Sequence, residues 1–247
     1  MIEIRSPNEI KNIRIAGGIV RGVLTALSKS AAEGISTERL DGIAEDMILR
    51  EGAEPAFKGY RGFPNAVCTS INDSVVHEIP SRKRILKNGD IISFDVGVGY
   101  NGYYADSALT IGIGEISASA RRLIDISEKA LYIGIDKATE GNRVSDISHA
   151  IQVFVESNGF NVVQAFVGHG IGRKIHEEPE IPNFGEPNKG ARLKEGMIFA
   201  IEPMVNEGDG NIKILSDGWT AVTKDRSLSA HFEHTVVVKK NKAEILT

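Results

Sequence analysis

Four acidic residues interrupt apolar, strand-like stretches of the chain, where an unpaired carboxylate is most costly. Asp95 follows the run IISF, Asp106 follows YYA, Glu202 follows FAI and Glu233 follows AHF. Taking a carboxylate out of water carries a large desolvation cost unless the group is paired or binds a metal. A turn cap or a lysine partner would explain one such acid, whereas four in the same setting indicate a shared cation cluster.

Three histidines lie in contexts that suit ligand or substrate binding. His169 is flanked by glycines, which let the backbone approach a ligand closely, and His77 and His176 lie in VVHEIP and IHEEP. Taken singly, each is more often a hydrogen-bonded structural histidine than a functional one. His231 and His234 flank the last of the four acids and could support it without binding metal themselves.

The ligand set formed by these acids and His169 is rich in oxygen and contains one imidazole. Such a set favours Mn²⁺, Fe²⁺, Co²⁺ or Zn²⁺ over a thiolate-bound zinc ion. Four carboxylates are more than one divalent ion needs, so two ions are the expected stoichiometry. Two ions about 3.5–4 Å apart can activate a bridging water and stabilise the charge that it creates.

The elements that must position these residues are helices and strands in alternation. Ser6, Pro7 and Glu9 form a capping box with proline in the first turn, which predicts a helix that continues to about Leu27. Apolar periodicity predicts further helices at Thr37–Glu51, Ser117–Ala138 and Val144–Asn158. Predicted strands are Asp90–Val98, Tyr103–Ile113, Asn161–Val167, Met197–Ile201, Trp219–Val222 and His231–Val238.

The chain repeats itself at an offset of 107 positions. The motif LKNG at 86–89 recurs as LKEG at 193–196, two pairs of glycines recur at the same distance, and Asp95 falls on Glu202 (202 − 95 = 107). These coincidences predict a duplicated α/β (α+β) architecture with pseudo-two-fold symmetry. We expect a single catalytic domain, residues 1–247, with two halves of about 1–114 and 115–247.

Composition limits the partners and the compartment. The 247 residues contain 29 Lys+Arg and 33 Asp+Glu, a net charge of −4, which argues against nucleic acid or anionic membrane as a partner. One cysteine, Cys68, allows no intrachain disulfide. The first residues do not resemble a signal peptide, and no apolar run approaches the ~20 residues of a membrane span. We expect a cytoplasmic monomer.

The ligand order and two motifs resemble those of the pita-bread metallohydrolases, and within them the type I methionine aminopeptidases. The motifs are FVGHGIG at 166–172, followed by HEEP at 176–179, and KDRSLSA at 224–230. The resemblance covers nearly the whole chain. It implies a pita-bread fold, in which a central antiparallel sheet carries helices on its outer face.

The resemblance also implies roles for individual residues. The five metal ligands would hold two divalent ions (Co, Mn, Fe or Zn), with Asp106 and Glu233 bridging both. A hydroxide between the ions would attack the scissile carbonyl, with Glu202 as the proton shuttle. His77 and His176 would contact the scissile amide and stabilise the tetrahedral intermediate. The implied ligands are Asp95, Asp106, His169, Glu202 and Glu233.

The implied activity is removal of the N-terminal methionine from nascent polypeptides, with a small second residue preferred and the ribosome as a transient partner. The implied methionine pocket consists of Tyr60, Phe63, Cys68 and Trp219. The chain departs from the family pattern at three positions of this region. Phe57 and Phe63 stand where relatives often carry a smaller or hydroxylated residue, and Gly97 stands where a β-branched residue is frequent.

Three alternatives share parts of this pattern. Xaa-Pro aminopeptidases and prolidases share the ligands but usually carry a large N-terminal domain, whereas 94 residues precede Asp95 here. Type II methionine aminopeptidases have a helical insertion between the last two acids, which here are 31 positions apart (233 − 202). Inactive pita-bread binding modules lose ligands, and this chain keeps all five.

Overall fold

Four helices pack against the outer face of antiparallel strands in the computed structural model, which describes residues 2–247. The helices are α1 (Pro7–Ser30), α2 (Thr37–Arg50), α3 (Ala118–Lys137) and α4 (Val144–Ser157). The predicted capping box is present in α1, where Glu9 accepts from the Ser6 amide at 2.9 Å. Among the described residues, no helix is both long and apolar enough to cross a membrane.

A hairpin of two ten-residue strands forms the centre of the first half. Its strands are β4 (Ile91–Tyr100) and β5 (Tyr103–Gly112), which pair over their whole length. Asn101 and Gly102 close it with positive φ angles of 51° and 75°, as a type I′ turn requires. Three shorter strands precede this hairpin: β1 (Glu54–Pro55), β2 (Val67–Ile71) and β3 (Ser74–Val76).

The second half contributes short strands. They are β6 (Asn161–Val162), β7 (Gly168–Gly170), β8 (Glu177–Ile181), β9 (Ile198–Ile201), β10 (Met204–Asn206), β11 (Ile212–Ile214), β12 (Ala221–Thr223), β13 (Ser229–His231), β14 (His234–Val237) and β15 (Glu244–Ile245). A five-stranded sheet has the order β15-β14-β9-β7-β8. Two three-stranded sheets have the orders β13-β10-β6 and β11-β12-β3, the second of which includes β3 of the first half.

The same hydrogen bonds recur at the predicted offset. The Gly34 amide donates to the Leu86 carbonyl at 2.8 Å, and the Gly141 amide donates to the Leu193 carbonyl at 3.1 Å. Each residue of the second pair lies 107 positions after its counterpart in the first pair (141 − 34 and 193 − 86). The predicted duplicated α/β (α+β) architecture is therefore confirmed at the level of backbone contacts.

Two predicted strands are wrong in extent, and a third, predicted at Trp219–Val222, is observed at Ala221–Thr223. The segment predicted at Asn161–Val167 is a strand only over Asn161–Val162, because residues 165–167 leave the sheet and line a cavity. The segment predicted at His231–Val238 is broken at Glu233, whose backbone pairs with Ala108 of β5 instead of following its neighbours into the β9 ladder. Both breaks depend on contacts that are distant in sequence.

Each half has its own buried cluster. Phe94 lies in the first, which α1 covers, and Phe199 lies in the second, which α3 and α4 cover, and both rings are fully buried. The two clusters flank the seam where β5 meets the segment 229–237. Asp106 of β5 and Glu233 lie on the two sides of this seam.

Candidate metal centre

Asp95 and Asp106 project from the same face of the central hairpin. In the β4–β5 register Asp106 lies opposite Gly97, two residues from Asp95, and directly opposed residues share a face. Cys68 of β2 lies opposite Asp95 and shares that face. The hairpin therefore directs two carboxylates, and the neighbouring β2 one thiol, toward the same cavity.

His169 of β7 presents one free ring nitrogen to the acids. Its Nδ1 donates to the Gly170 carbonyl at 2.9 Å, which leaves Nε2 without a proton in the neutral ring. Nε2 lies 3.5 Å from Asp106 Oδ2 and 3.4 Å from Glu202 Oε1. Burial lowers the pKa of His169 to about 4, so the ring is neutral at physiological pH and its Nε2 can donate an electron pair to a metal ion.

The glycines around His169 are required by close backbone contacts. A Cβ atom on Gly168 would lie 2.5 Å from the Ala200 carbonyl oxygen, and one on Gly170 would lie 2.1 Å from the Glu178 carbonyl oxygen. Real Cβ atoms do not approach backbone oxygens this closely, so any side chain would displace β7. The GHG motif thus fixes the position of the histidine between β8 and β9.

Glu233 completes the cluster from the break between β13 and β14. Ligand atoms of Asp106, His169 and Glu233 all lie within 4.8 Å of one another, and all three residues are buried. Glu202, just beyond β9, lines the same cavity as these residues and Asp95. All five residues predicted as ligands are therefore brought together.

The electrostatics of the cluster favour a bound cation. Burial, reinforced by the neighbouring carboxylates, raises the pKa of Asp95, Glu202 and Glu233 well above the ordinary range. Burial raises the pKa of Asp106 to about 6. In addition, Asp95 Oδ1 is buried without a hydrogen-bond partner. Four crowded carboxyl groups, an orphan oxygen and a free imidazole nitrogen are donors that fit divalent ions.

His77 and His176 lie beside the acids. The ring centroids of His176 and His169 are 4.3 Å apart, and His176 Nδ1 is 3.0 Å from the Tyr60 hydroxyl oxygen. Burial lowers the pKa of both His77 and His176 to about 4, helped by the charge of a neighbouring histidine. His77 has a φ of 60°, a conformation uncommon for a residue with a side chain. Both rings are neutral at physiological pH.

An apolar pocket opens from the acid cluster. Phe63 and Trp219 meet edge to face with ring centroids 5.2 Å apart. The cavity that contains them and the acids has a volume of about 160 Å³. Its remaining walls are the predicted Tyr60 and Cys68, together with Phe57, Arg61, His77 and His176.

A second cavity of about 210 Å³ lies on another side of the same acids, and its walls include Val76, Phe166 and Met204. His231, for which the sequence suggested only a supporting role beside Glu233, also lines it. Its Nε2 is buried without a hydrogen-bond partner and lies 3.8 Å from Glu202 Oε2. The sequence feature that points to His231 is its position, two residues before the candidate ligand Glu233.

Comparison with known proteins agrees with this geometry. Residues 11–240 match the sequence pattern of a known family, described as "Metallopeptidase family M24". The methionine aminopeptidase of Clostridium acetobutylicum is 51% identical over 247 residues, which cover 100% of this chain and 99% of that protein.

Solved structures give the same result. The crystal structure of methionine aminopeptidase from Thermotoga maritima superposes with a TM-score of 0.99 at 44% identity, covering 100% of this chain and 99% of that one. The prolidase from Pyrococcus furiosus has a TM-score of 0.79 at 26% identity, and the match covers 99% of this chain but 65% of the prolidase. The predicted pita-bread fold is confirmed. The chain therefore belongs to metallopeptidase family M24 and, within it, to the methionine aminopeptidases.

Proposed function

We propose that this chain removes the N-terminal methionine from peptides and nascent proteins. The observation that carries the proposal is one cavity lined by five candidate metal ligands, two neutral histidines and an apolar aromatic pocket. Sequence identity of 51% and 44% to two methionine aminopeptidases, over the full length of the chain, supports this activity over the Xaa-Pro alternatives.

Asp95, Asp106, His169, Glu202 and Glu233 would hold two divalent ions, for which Co, Mn, Fe and Zn all suit the donor set. When bound, the ions polarise the scissile carbonyl and make water a nucleophile at neutral pH. The raised carboxyl pKa values support this assignment, because an acid cluster of this density is unfavourable without compensating charge.

Glu202 would carry the proton during hydrolysis. Its carboxylate would accept the proton of the attacking water and pass it to the leaving amine nitrogen, as general acid–base catalysis requires. Its position between His169 and His231, 3.4 and 3.8 Å away, supports this role. Burial, reinforced by Asp106 and Asp95, raises the pKa of Glu202 above its ordinary range.

His77 and His176 would donate hydrogen bonds to the scissile amide and its developing oxyanion. We assign the Tyr60 hydroxyl as the donor to His176 Nδ1, because this arrangement leaves a proton on Nε2. Their lowered pKa values keep both rings neutral, so each still carries one N–H donor above pH about 5.

The two cavities would bind the residues on either side of the scissile bond. The pocket of Tyr60, Phe63, Cys68 and Trp219 would bind the methionine side chain, since a thioether packs well against aromatic edges. The cavity of about 210 Å³ would receive the second residue. Asp95, His169 and Glu202 form part of its wall, so the second residue would have to fit against the metal centre, which supports a preference for small side chains there.

We further propose that residues 1–247 act as one catalytic domain, whose halves span about 1–114 and 115–247. Contacts between opposite ends of the chain support this, because Arg14 pairs with Glu244 at 2.7 Å and a Cβ atom on Gly17 would lie 2.2 Å from the Leu246 carbonyl oxygen. We also propose a cytoplasmic monomer that meets the ribosome transiently, since its substrates would be nascent chains.

Peptide hydrolysis with and without metal tests the proposal. The protein is stripped with EDTA, dialysed, and assayed on Met-Ala-Ser, Met-Lys-Ser and Ala-Pro-Ala before and after addition of Mn²⁺ or Co²⁺. We expect methionine release from Met-Ala-Ser only with metal, at least tenfold slower release from Met-Lys-Ser, and no cleavage of Ala-Pro-Ala.

Two variants serve as controls for the assay. Glu202→Gln should lose activity, and Asp125→Asn, which changes an exposed acid of α3, should not. Cleavage of Ala-Pro-Ala, or metal-independent release of methionine, would overturn the proposed function.

A further inference from the structure

Among the described residues, the seam between β5 and the segment 229–237 contains one pair of residues joined directly through their backbones. The Glu233 amide donates to the Ala108 carbonyl at 2.9 Å, and the Ala108 amide donates to the Glu233 carbonyl at 3.4 Å. Two residues away in either direction, a threonine hydroxyl replaces the direct backbone bonds. These threonines are Thr235 on one side and Thr110 on the other, and both are buried.

Thr235 holds both backbone groups of Asp106. The Asp106 amide donates to Thr235 Oγ1 at 3.1 Å, and Thr235 Oγ1 lies 2.8 Å from the Asp106 carbonyl oxygen, to which it donates. The same hydroxyl proton is shared with Asp106 Oδ1, 3.1 Å from Thr235 Oγ1, in a three-centre hydrogen bond. One atom thus contacts the amide, the carbonyl and the carboxylate of a candidate metal ligand.

Thr110 makes the equivalent backbone contacts at the opposite end of the seam. The His231 amide donates to Thr110 Oγ1 at 2.9 Å, and Thr110 Oγ1 donates to the His231 carbonyl at 2.8 Å. A third contact, at 2.8 Å, is with Ser93 Oγ instead of a carboxylate. The two threonines therefore differ in one respect, since only Thr235 contacts a candidate ligand.

We propose that Thr235 is a positioning residue that sets the affinity of the site for divalent metal through Asp106. The inference rests on the proposed metal site. A hydroxyl can accept from an amide and donate to an oxygen at the same time, which valine of similar shape cannot do. Hydrogen bonds to ligating carboxylates orient them, and their loss typically lowers metal affinity 10- to 100-fold.

Metal titration of matched variants tests this role. Metal-free wild type, Thr235→Val, Thr110→Val and Thr235→Ser are each titrated with Mn²⁺ by isothermal calorimetry, and their thermal unfolding is recorded without metal. We expect Thr235→Val to weaken Mn²⁺ binding at least tenfold. Thr235→Ser and Thr110→Val should stay within about threefold of wild type, although both valine variants should unfold at lower temperature.

Two results would overturn the proposal. One is unchanged Mn²⁺ affinity in Thr235→Val, and the other is an equal loss in Thr110→Val, which would make strand spacing the cause. Thr235→Ala, which is smaller, replaces the valine variant under the same criteria if the latter does not fold. A wild-type protein that binds no Mn²⁺ would instead contradict the proposed function, so the two failures are distinguishable.

Discussion

The ring of Phe57 lies where a side chain on Gly97 would begin: a Cβ atom at position 97 would be 2.7 Å from Cε1 of Phe57. Gly97 lies in β4, two residues after Asp95, and Phe57 lines the cavity that contains the acids. Two of the three positions expected to depart from the family pattern, Phe57 and Gly97, are therefore in direct contact. The missing side chain on β4 makes room for the aromatic ring.

Gly97→Val should displace the Phe57 ring, because the new side chain would occupy the same space. Overpacking of this kind lowers the free energy of unfolding by about 1–3 kcal/mol. We expect a lower unfolding temperature and at least a fivefold higher KM for Met-Ala-Ser, since the ring lines the substrate cavity. Phe57→Ala added to Gly97→Val should restore most of the stability. Additive effects in the double variant would show that the two positions are independent, contrary to this prediction.

The four acids could be proposed as metal ligands because a buried carboxylate needs a partner for its charge, and the local sequence supplies none. The helices could be predicted because caps and periodicity are local. The break at Glu233 could not, since it depends on pairing with Ala108, 125 positions earlier (233 − 108). The coupling of Phe57 to Gly97 was hidden for the same reason, as it joins residues 40 positions apart (97 − 57).

The Tyr60 hydroxyl should matter through His176. Tyr60→Phe removes the hydrogen bond to His176 Nδ1, so the ring loses both its orientation and its fixed tautomer. We expect kcat for Met-Ala-Ser to fall about tenfold, on the order of 1.4 kcal/mol, with little change in KM. Steady-state kinetics measure both, and Tyr100→Phe, at the end of β4, is the matched control. An unchanged kcat in Tyr60→Phe would exclude this orienting role.

Methionine binding should be visible in the fluorescence of Trp219, the single tryptophan of the chain. Its ring packs against Phe63 at the edge of the proposed methionine pocket, so a bound thioether would change its surroundings. We expect a saturable change in emission when methionine is added, and none with serine. Phe63→Ala should weaken the apparent affinity at least tenfold. A response of equal size to serine would argue against a methionine pocket at this position.

The acid cluster should destabilise the metal-free protein, and Asp95 provides the test. Its folded-state pKa is raised by burial and by Asp106, so the folded protein binds this proton more tightly than the unfolded chain does. Ionised Asp95 therefore lowers the free energy of unfolding progressively as the pH rises above the unfolded value of about 4. Asp95→Asn keeps the shape of the side chain and removes the charge.

Metal-free Asp95→Asn should thus unfold at higher temperature than metal-free wild type at pH 8, and the difference should shrink at pH 5. A shift of about 2–6 °C is expected, which corresponds to on the order of 1–2 kcal/mol in a chain of this size. Addition of Mn²⁺ should reverse the order, because the wild type binds the ion more tightly. Asp125→Asn, at an exposed position, should show neither effect. A metal-free Asp95→Asn variant less stable than wild type at pH 8 would mean that the carboxylate stabilises the fold, contrary to a site maintained for metal binding.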